Sequence, residues 1–123
     1  RVNDSMSIFF KNMENSQLIV QVANGEGRMD FLDTSVLKKL ISNDQIPLQY
    51  VNSKGQATEK YPANPNGSPE GISSICSKDG RATILMPHPE RAFLNKQLSW
   101  TDGDDSDSSP WFEMFLNARK FVN

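Results

Sequence analysis

The chain of 123 residues has a single cysteine, a single histidine and no long apolar run. One cysteine excludes an internal disulfide framework and is typical of a cytoplasmic protein. With one histidine and one cysteine, a zinc site would depend on carboxylates, so we expect no metal site. No apolar run approaches the roughly 20 residues that a membrane span needs. The net charge of −2 and the pI near 5.3 give no basic footprint for nucleic acid. These absences favour a cytoplasmic chain that binds neither membrane nor nucleic acid.

The pattern of apolar and turn-forming residues predicts a mixed α/β chain with one small core. Helices are predicted over residues 6–13, from the N-cap at Asp33-Thr34 to about 43–44, and after an N-cap at Ser109. In the last helix we expect Phe112, Phe115, Leu116 and Val122 to pack inward, with Trp111 in the core or an interface. Strands are predicted over residues 17–22, 47–51, 57–61, 72–77 and 82–86, whereas residues 62–69 and the aspartate-rich 101–108 read as loops.

The most informative stretch is Met-Pro-His-Pro-Glu-Arg, residues 86–91. The prolines hold His88 in an extended conformation, so His88 and Glu90 share a face and their Cα atoms lie about 6 to 7 Å apart. A hydrogen bond between imidazole and carboxylate would orient the ring and favour its protonated form, as a general base assisting a nucleophile requires. The alternative is a turn whose histidine caps a backbone carbonyl.

A nucleophile for this pair is not evident in the chain. Asp79-Gly80 predicts a tight hairpin in which Cys76 faces Thr83. Five residues of extended chain, roughly 17 Å, would then separate Thr83 from His88, far beyond the reach between a nucleophile and its base. Cys76 is therefore predicted to be a small buried strand residue. No serine lies on a recognisable strand-turn-helix elbow, so the third member of a triad is expected outside this chain.

These residues resemble the glutaminase domain of the large, single-chain phosphoribosylformylglycinamidine synthases, which are class I (triad) glutamine amidotransferases. The similarity covers nearly the whole chain. It is carried by Gly-Glu-Gly-Arg at 25–28, Tyr-Pro-Ala-Asn-Pro-Asn-Gly-Ser-Pro-Glu-Gly-Ile at 61–72, Lys-Asp-Gly-Arg at 78–81, Met-Pro-His-Pro-Glu-Arg at 86–91, Ser-Trp at 99–100, Ser-Pro-Trp at 109–111 and Asn-Ala-Arg at 117–119.

The resemblance implies that residues 1–123 are the C-terminal portion of a glutamine amidotransferase domain whose nucleophile-bearing N-terminal half is absent. The implied fold is α/β and of the three-layer flavodoxin-like type with a mixed sheet. Such a half domain would leave an open sheet edge and uncovered apolar surface, so we expect self-association or binding to the missing half.

The resemblance also implies the chemistry. An absent cysteine attacks the side-chain amide of glutamine, His88 shuttles protons, Glu90 orients His88, and water resolves the thioester. The ammonia passes to a synthetase domain of the same chain, which uses ATP and magnesium to convert formylglycinamide ribonucleotide to the amidine. ATP and magnesium belong to that domain, so no cofactor is expected in this chain, and the chain alone is expected to be inactive.

The loop Asn66-Gly67-Ser68 is a candidate for glutamine binding. Its glycine lets backbone amides approach a ligand closely, and in triad amidotransferases the loop at the comparable place holds the amino acid part of glutamine, largely through main-chain groups. The alternative is two consecutive turns without a ligand.

One departure from the family pattern is Asn24, which stands where histidine is usual, so a proton-transfer role at that position is in doubt. A function of another class is a noncatalytic, glutaminase-like module that docks on a synthetase and regulates it. The presence of both His88 and Glu90 counts against that alternative, because a decayed site has little reason to keep both.

Overall fold

The computed structural model describes residues 1–23 and 27–123. Asn24, Gly25 and Glu26, named above singly or within the motif at 25–28, lie outside the described residues. The regular elements are α1 (Thr34–Ser42), β1 (Ser74–Cys76), β2 (Thr83–Leu85) and α2 (Phe112–Val122), with short 3-10 turns at Ile8–Phe10, Pro69–Gly71, Pro89–Arg91 and Asn95–Gln97. Helix and strand are both present, as expected. The sheet in the described residues has two strands, so the three-layer arrangement with a mixed sheet stays a prediction. None of the described helices is long and apolar enough to cross a membrane.

The hairpin of β1 and β2 has the predicted register. The strands are antiparallel, with Ser74 opposite Leu85 and Cys76 opposite Thr83. The turn between them is closed by Asp79, whose Oδ1 accepts hydrogen bonds from the Arg81 N–H at 3.1 Å and the Ser77 hydroxyl at 2.6 Å. Gly80 has φ +71, and a Cβ there would lie 1.9 Å from the carbonyl oxygen of Met6. Close approach of the Met6 backbone therefore requires glycine at the turn.

Helix α1 begins where the sequence predicts. The Asp33 side chain accepts hydrogen bonds from the N–H groups of Ser35 and Val36 at 2.7 and 3.2 Å, as an N-cap does. These bonds, with that of the Ser35 hydroxyl foremost, lower the pKa of Asp33. The helix ends at Ser42, near the predicted stop. Its half-buried Leu37 and Leu40 pack on a small core of Met29, Ile46 and Ile72.

Four predicted segments do not form the expected helix or strand. Residues 6–13 form only the 3-10 turn Ile8–Phe10, because Asn12 has φ +64, a left-handed conformation that a helix cannot contain. Residues 17–22 alternate in exposure like a strand but pair with no strand among the described residues. The predicted strands at 47–51 and 57–61 are reduced to isolated bridges, which join Val2 to Leu48, Gln49 to Ile72 and Val51 to Ala57.

The last helix begins later than predicted and buries a different face. Ser109 closes the preceding turn by accepting the Trp111 N–H on its hydroxyl at 3.2 Å, and α2 begins at Phe112. Phe112 is half-buried, but Phe115, Leu116 and Val122 are exposed, contrary to expectation. The buried residue of the helix is Asn117, whose side-chain amide donates to the carbonyls of Phe9 and Lys11 at 3.0 and 2.7 Å. A polar anchor thus fixes α2, where apolar packing was predicted.

The larger core joins the two ends of the chain. Trp111 is buried, as expected, and its indole N–H donates to the Ile19 carbonyl at 2.7 Å. The buried members of this core are Val2, Phe10, Met13, Leu48, Ala92 and Trp111. Leu18 and Val20 pack against it from the unpaired segment 17–22.

The close approach at Gly80 leads to a stability prediction. Gly80→Ala should cost about 3 kcal/mol or more of unfolding free energy, because it adds a backbone clash to an unfavourable positive φ. Gly103→Ala is a matched control: Gly103 has φ +80 and nothing within 4 Å of an added Cβ, so only the conformational cost of about 1 kcal/mol applies. Urea unfolding of the chain measures both. Equal losses would show that the Met6 backbone moves away at little cost.

Candidate active site

His88 and Glu90 are in direct contact. The Nδ1 atom of His88 lies 2.7 Å from Oε1 of Glu90. His88 has φ −114 and ψ 76, and the chain then turns through Pro89–Arg91, with the Ala92 N–H bonded to the Pro89 carbonyl. The hydrogen bond was predicted from an extended chain, but the turn after His88 brings the carboxylate to the ring. Pro89 starts that turn because its fixed φ suits the first position and its missing N–H costs nothing there.

The lowered pKa of Glu90 favours the ionised carboxylate, which can accept a hydrogen bond from His88. Burial alone would raise the pKa of Glu90, but the hydrogen bond with His88, the Glu90 backbone N–H and the charges of His88 and Arg91 together lower it below the usual 4.5. An ionised carboxylate accepts the Nδ1–H and leaves Nε2 free to take or give a proton. The side chain of His88 is 31% exposed and that of Glu90 is 55% exposed, so a reactant can approach the imidazole ring.

The backbone of His88 is fixed by a residue that sequence reasoning missed. The His88 N–H donates to the Gln21 carbonyl at 2.9 Å. The Gln21 side chain also reaches the Gln97 carbonyl at 3.4 Å. No local signal marks Gln21, because it lies far from His88 in sequence and acts through its main chain. The segment 17–22 therefore positions the candidate base.

Cys76 is not placed to serve this pair. It is 5% exposed, and its backbone is bonded on both sides to Gln45, with the Cys76 N–H donating to the Gln45 carbonyl and the Gln45 side-chain amide donating to the Cys76 carbonyl. Burial raises the pKa of the thiol. In the hairpin, Leu85, the end of β2 that leads to His88, lies opposite Ser74. Cys76 is thus at the far end of β1, as the sequence predicted.

The loop around Asn66, Gly67 and Ser68 is organised from within by Asn64. Asn64 is 1% exposed, and its Oδ1 accepts the N–H groups of Asn66, Gly67 and Ser68 at 3.3, 2.9 and 3.2 Å. Its amide donates to the carbonyls of Thr58 and Ser68 at 2.9 and 3.0 Å. These backbone N–H groups are therefore occupied in this conformation. A role of the loop in binding glutamine stays a prediction, and the open space around Gly67 leaves room there for a ligand.

An open groove lies between residues 62–65, which precede this loop, and Pro87, but its lining residues do not include the candidate site residues Asn66, Gly67, Ser68, His88 and Glu90. Its volume is about 450 Å³. Pro62, Ala63 and Pro65 line one part, and Pro87, next to His88, lines another. The size is within the range of small-molecule sites, and the lining is mostly apolar. The described residues contain no group of three or more His, Cys, Asp or Glu side chains that could hold a metal ion.

Comparison with known proteins places the chain in a family. Residues 1–122 match the model of the CobB/CobQ-like glutamine amidotransferase domain. The chain belongs to this family. It is also 48% identical over 125 aligned residues to the protein of Arabidopsis thaliana named probable phosphoribosylformylglycinamidine synthase, chloroplastic/mitochondrial. The alignment covers 98% of this chain and 9% of that relative, so the chain spans about a tenth of the relative's length. The resemblance inferred from the residue motifs is thereby confirmed.

The hub at Asn64 gives a second stability prediction. Asn64→Ala removes the partners of several buried backbone groups at once and should cost about 2–4 kcal/mol of unfolding free energy. Asn52→Ala is the control: Asn52 also accepts two backbone N–H groups, of Lys54 and Gln56, but in an exposed turn, where water can replace it. Urea unfolding compares the two. If Asn64→Ala lowers the free energy of unfolding no more than Asn52→Ala does, Asn64 does not organise the loop.

The environment of Cys76 gives a third prediction. Cys76→Ala should cost only about 1–2 kcal/mol, the scale for one small strand residue. Because the thiol is buried and its pKa is raised, iodoacetamide should alkylate it much more slowly in the folded chain than in urea. Mass spectrometry follows the adduct. Rapid alkylation of the folded chain would show a reactive cysteine and reopen its role as nucleophile.

Proposed function

We propose that this chain is the glutaminase portion of a phosphoribosylformylglycinamidine synthase, a glutamine-dependent ligase of purine biosynthesis. The observation that carries the proposal is the His88–Glu90 hydrogen bond at 2.7 Å in a chain of the glutamine amidotransferase family. The 48% identity to a relative with that name supports the assignment to this enzyme rather than to another amidotransferase. The synthetase domain, ATP and magnesium belong to the rest of the proposed enzyme.

In the proposed reaction, a cysteine outside residues 1–123 attacks the side-chain carbonyl carbon of glutamine. His88 Nε2 takes the thiol proton and gives it to the leaving amide nitrogen, so ammonia departs and a thioester forms. Water then attacks the thioester, again with Nε2 as base, and releases glutamate and the thiol. Glu90 holds the ring through Nδ1 throughout and stabilises the imidazolium that forms.

The ammonia serves the ATP-dependent conversion of formylglycinamide ribonucleotide to the amidine. We further propose that the domain is completed by an N-terminal half, giving the three-layer fold, and that Asn66, Gly67 and Ser68 contribute to the glutamine site. The cytoplasmic location inferred from the single cysteine also stays a prediction, and the relative's printed name refers to chloroplast and mitochondrion. A noncatalytic docking module is disfavoured because the histidine and carboxylate are both present and in contact.

The test is the separation of two activities in the full-length enzyme. His88→Ala should lower glutamine-dependent synthesis by about two to four orders of magnitude, the usual scale for a general base, and leave synthesis from free ammonia intact. Glu90→Gln should lower the glutamine-dependent activity less, because the amide still accepts from Nδ1 but carries no charge.

Glu113→Gln is the matched control, because Glu113 is also a carboxylate in an exposed pair, with Lys120 at 3.0 Å. Both activities should be unchanged in that variant. Equal loss of glutamine-dependent and ammonia-dependent synthesis in His88→Ala would contradict the proposal, since it would mean that His88 is structural or serves the synthetase.

A further inference from the structure

The Ser-Pro-Trp motif at residues 109–111 forms the turn that leads into α2. Ser109 and Trp111 are each 3% exposed, so both side chains lie in the interior. Buried polar groups are normally hydrogen-bonded, because burial without a partner is costly. For both side chains the partner is a backbone carbonyl, and in each case the segment that carries this carbonyl leads to His88.

Trp111 holds the segment on which the backbone of His88 rests. The indole N–H of Trp111 donates to the Ile19 carbonyl at 2.7 Å. Two residues further along, the carbonyl of Gln21 accepts the His88 N–H at 2.9 Å. Among the described residues, the backbone groups of residues 17–22 form no other hydrogen bond, and apolar side chains of this segment pack against the core that contains the indole ring. The position of the Gln21 carbonyl therefore depends on Trp111.

Ser109 holds the chain on the other side of His88. Its hydroxyl donates to the Ala92 carbonyl, and its backbone N–H donates to the Phe93 carbonyl at 2.9 Å. Ala92 is fully buried, and its own N–H closes the short turn that carries Glu90. The end of the Glu90 turn is thus bonded to Ser109.

The two contacts meet in one hydrogen-bonded turn. The Ser109 hydroxyl accepts the Trp111 N–H at 3.2 Å, and the Ser109 carbonyl accepts the N–H of Phe112, the first residue of α2, at 3.0 Å. A shift within this turn would move the support of the His88 backbone relative to the Glu90 turn. The contact between the two side chains, at 2.7 Å, weakens steeply when its geometry changes.

We propose that Trp111 and Ser109 are positioning residues for His88, which set the backbone on both sides of the candidate base and so align its ring with Glu90. The inference rests on the proposed function, in which Nε2 of His88 transfers protons. Neither residue is required to touch glutamine. A displacement of about 1 Å caused by a change far from the chemistry can slow a reaction about 100-fold. Loss of either contact should therefore lower turnover rather than the binding of glutamine.

Trp111→Phe in the full-length enzyme tests this role, because phenylalanine keeps an aromatic ring in the core and removes the N–H donor. The glutamine-dependent kcat should fall about 10- to 100-fold. The KM for glutamine should stay within about twofold of wild type, and ammonia-dependent synthesis should be unchanged. Ser109→Ala removes far less volume and should lower the same kcat about 5-fold or more. Wild-type kcat in both variants would overturn the proposal.

Asn117→Ala is the matched control. The Asn117 side chain also links α2 to two backbone carbonyls, those of Phe9 and Lys11, but these carbonyls do not lead to His88. Thermal unfolding should show that this variant is destabilised at least as much as Ser109→Ala, whereas its glutamine-dependent kcat should stay within about twofold of wild type. An equal fall of kcat in Asn117→Ala would mean that any loosening of α2 slows the enzyme, and would overturn the positioning role.

A double-mutant cycle with Glu90→Gln tests whether the effect passes through the His88 ring. If Trp111 acts by aligning His88 with Glu90, the fold losses of Trp111→Phe and Glu90→Gln should combine to less than their product, because residues that act as a unit are not additive. Losses that multiply would place the effect of Trp111 elsewhere and overturn the proposal.

His88→Ala in the same assays separates this inference from the proposed function. Equal loss of glutamine-dependent and ammonia-dependent synthesis in His88→Ala contradicts the proposed function, and the positioning role with it. An enzyme that loses only glutamine-dependent synthesis in His88→Ala, but tolerates both Trp111→Phe and Ser109→Ala, contradicts the positioning role alone.

Discussion

The fold depends on how a chain with little regular secondary structure provides hydrogen-bond partners for its backbone N–H and C=O groups. Two three-residue strands and two helices leave many N–H and C=O groups without a ladder or a helical turn, and each such group would be costly if buried unpaired. Amide side chains take the place of the missing ladders. The side-chain amide of Gln45 donates to the carbonyl of Cys76. Asn64 accepts backbone N–H groups of the loop that follows it, and the amide of Asn117 in α2 donates to the carbonyls of Phe9 and Lys11. Asn and Gln suit this role because each both donates and accepts.

The candidate site is positioned in the same way. Neither His88 nor Glu90 lies in an α-helix or in the hairpin of β1 and β2. Backbone hydrogen bonds before and after the pair hold it in position instead. The His88 N–H is held by Gln21, and the turn after it is closed by the Ala92 N–H to the Pro89 carbonyl. Pro87 and Pro89 restrict the remaining freedom of the chain. A general base has to be held in a defined position relative to its partner. Here a short turn restricted by two prolines holds His88 next to Glu90, without a long helix or strand.

The sequence predicts the local features of the structure and misses those that depend on residues far apart in the chain. Features written in a few neighbouring residues were predicted: the Asp79-Gly80 hairpin and its register, the Asp33 cap of α1, and the contact between His88 and Glu90. Features that depend on distant partners were not. Residues 17–22 have the composition of a strand but pair with no strand among the described residues. Nothing near Asn64, Asn117 or Gln21 in sequence indicates which backbone groups they bind. Apolar periodicity likewise misjudged α2, because Phe115 and Leu116 are exposed while Asn117 is the anchor.

The openness of the pair bears on how it would work. Glu90 is more than half exposed, and an ion pair in that setting contributes little because water screens it. The same carboxylate and imidazole interact more strongly once water is displaced, since the effective dielectric falls. The exposure of the pair therefore limits how firmly Glu90 can orient the His88 ring while water has access to it.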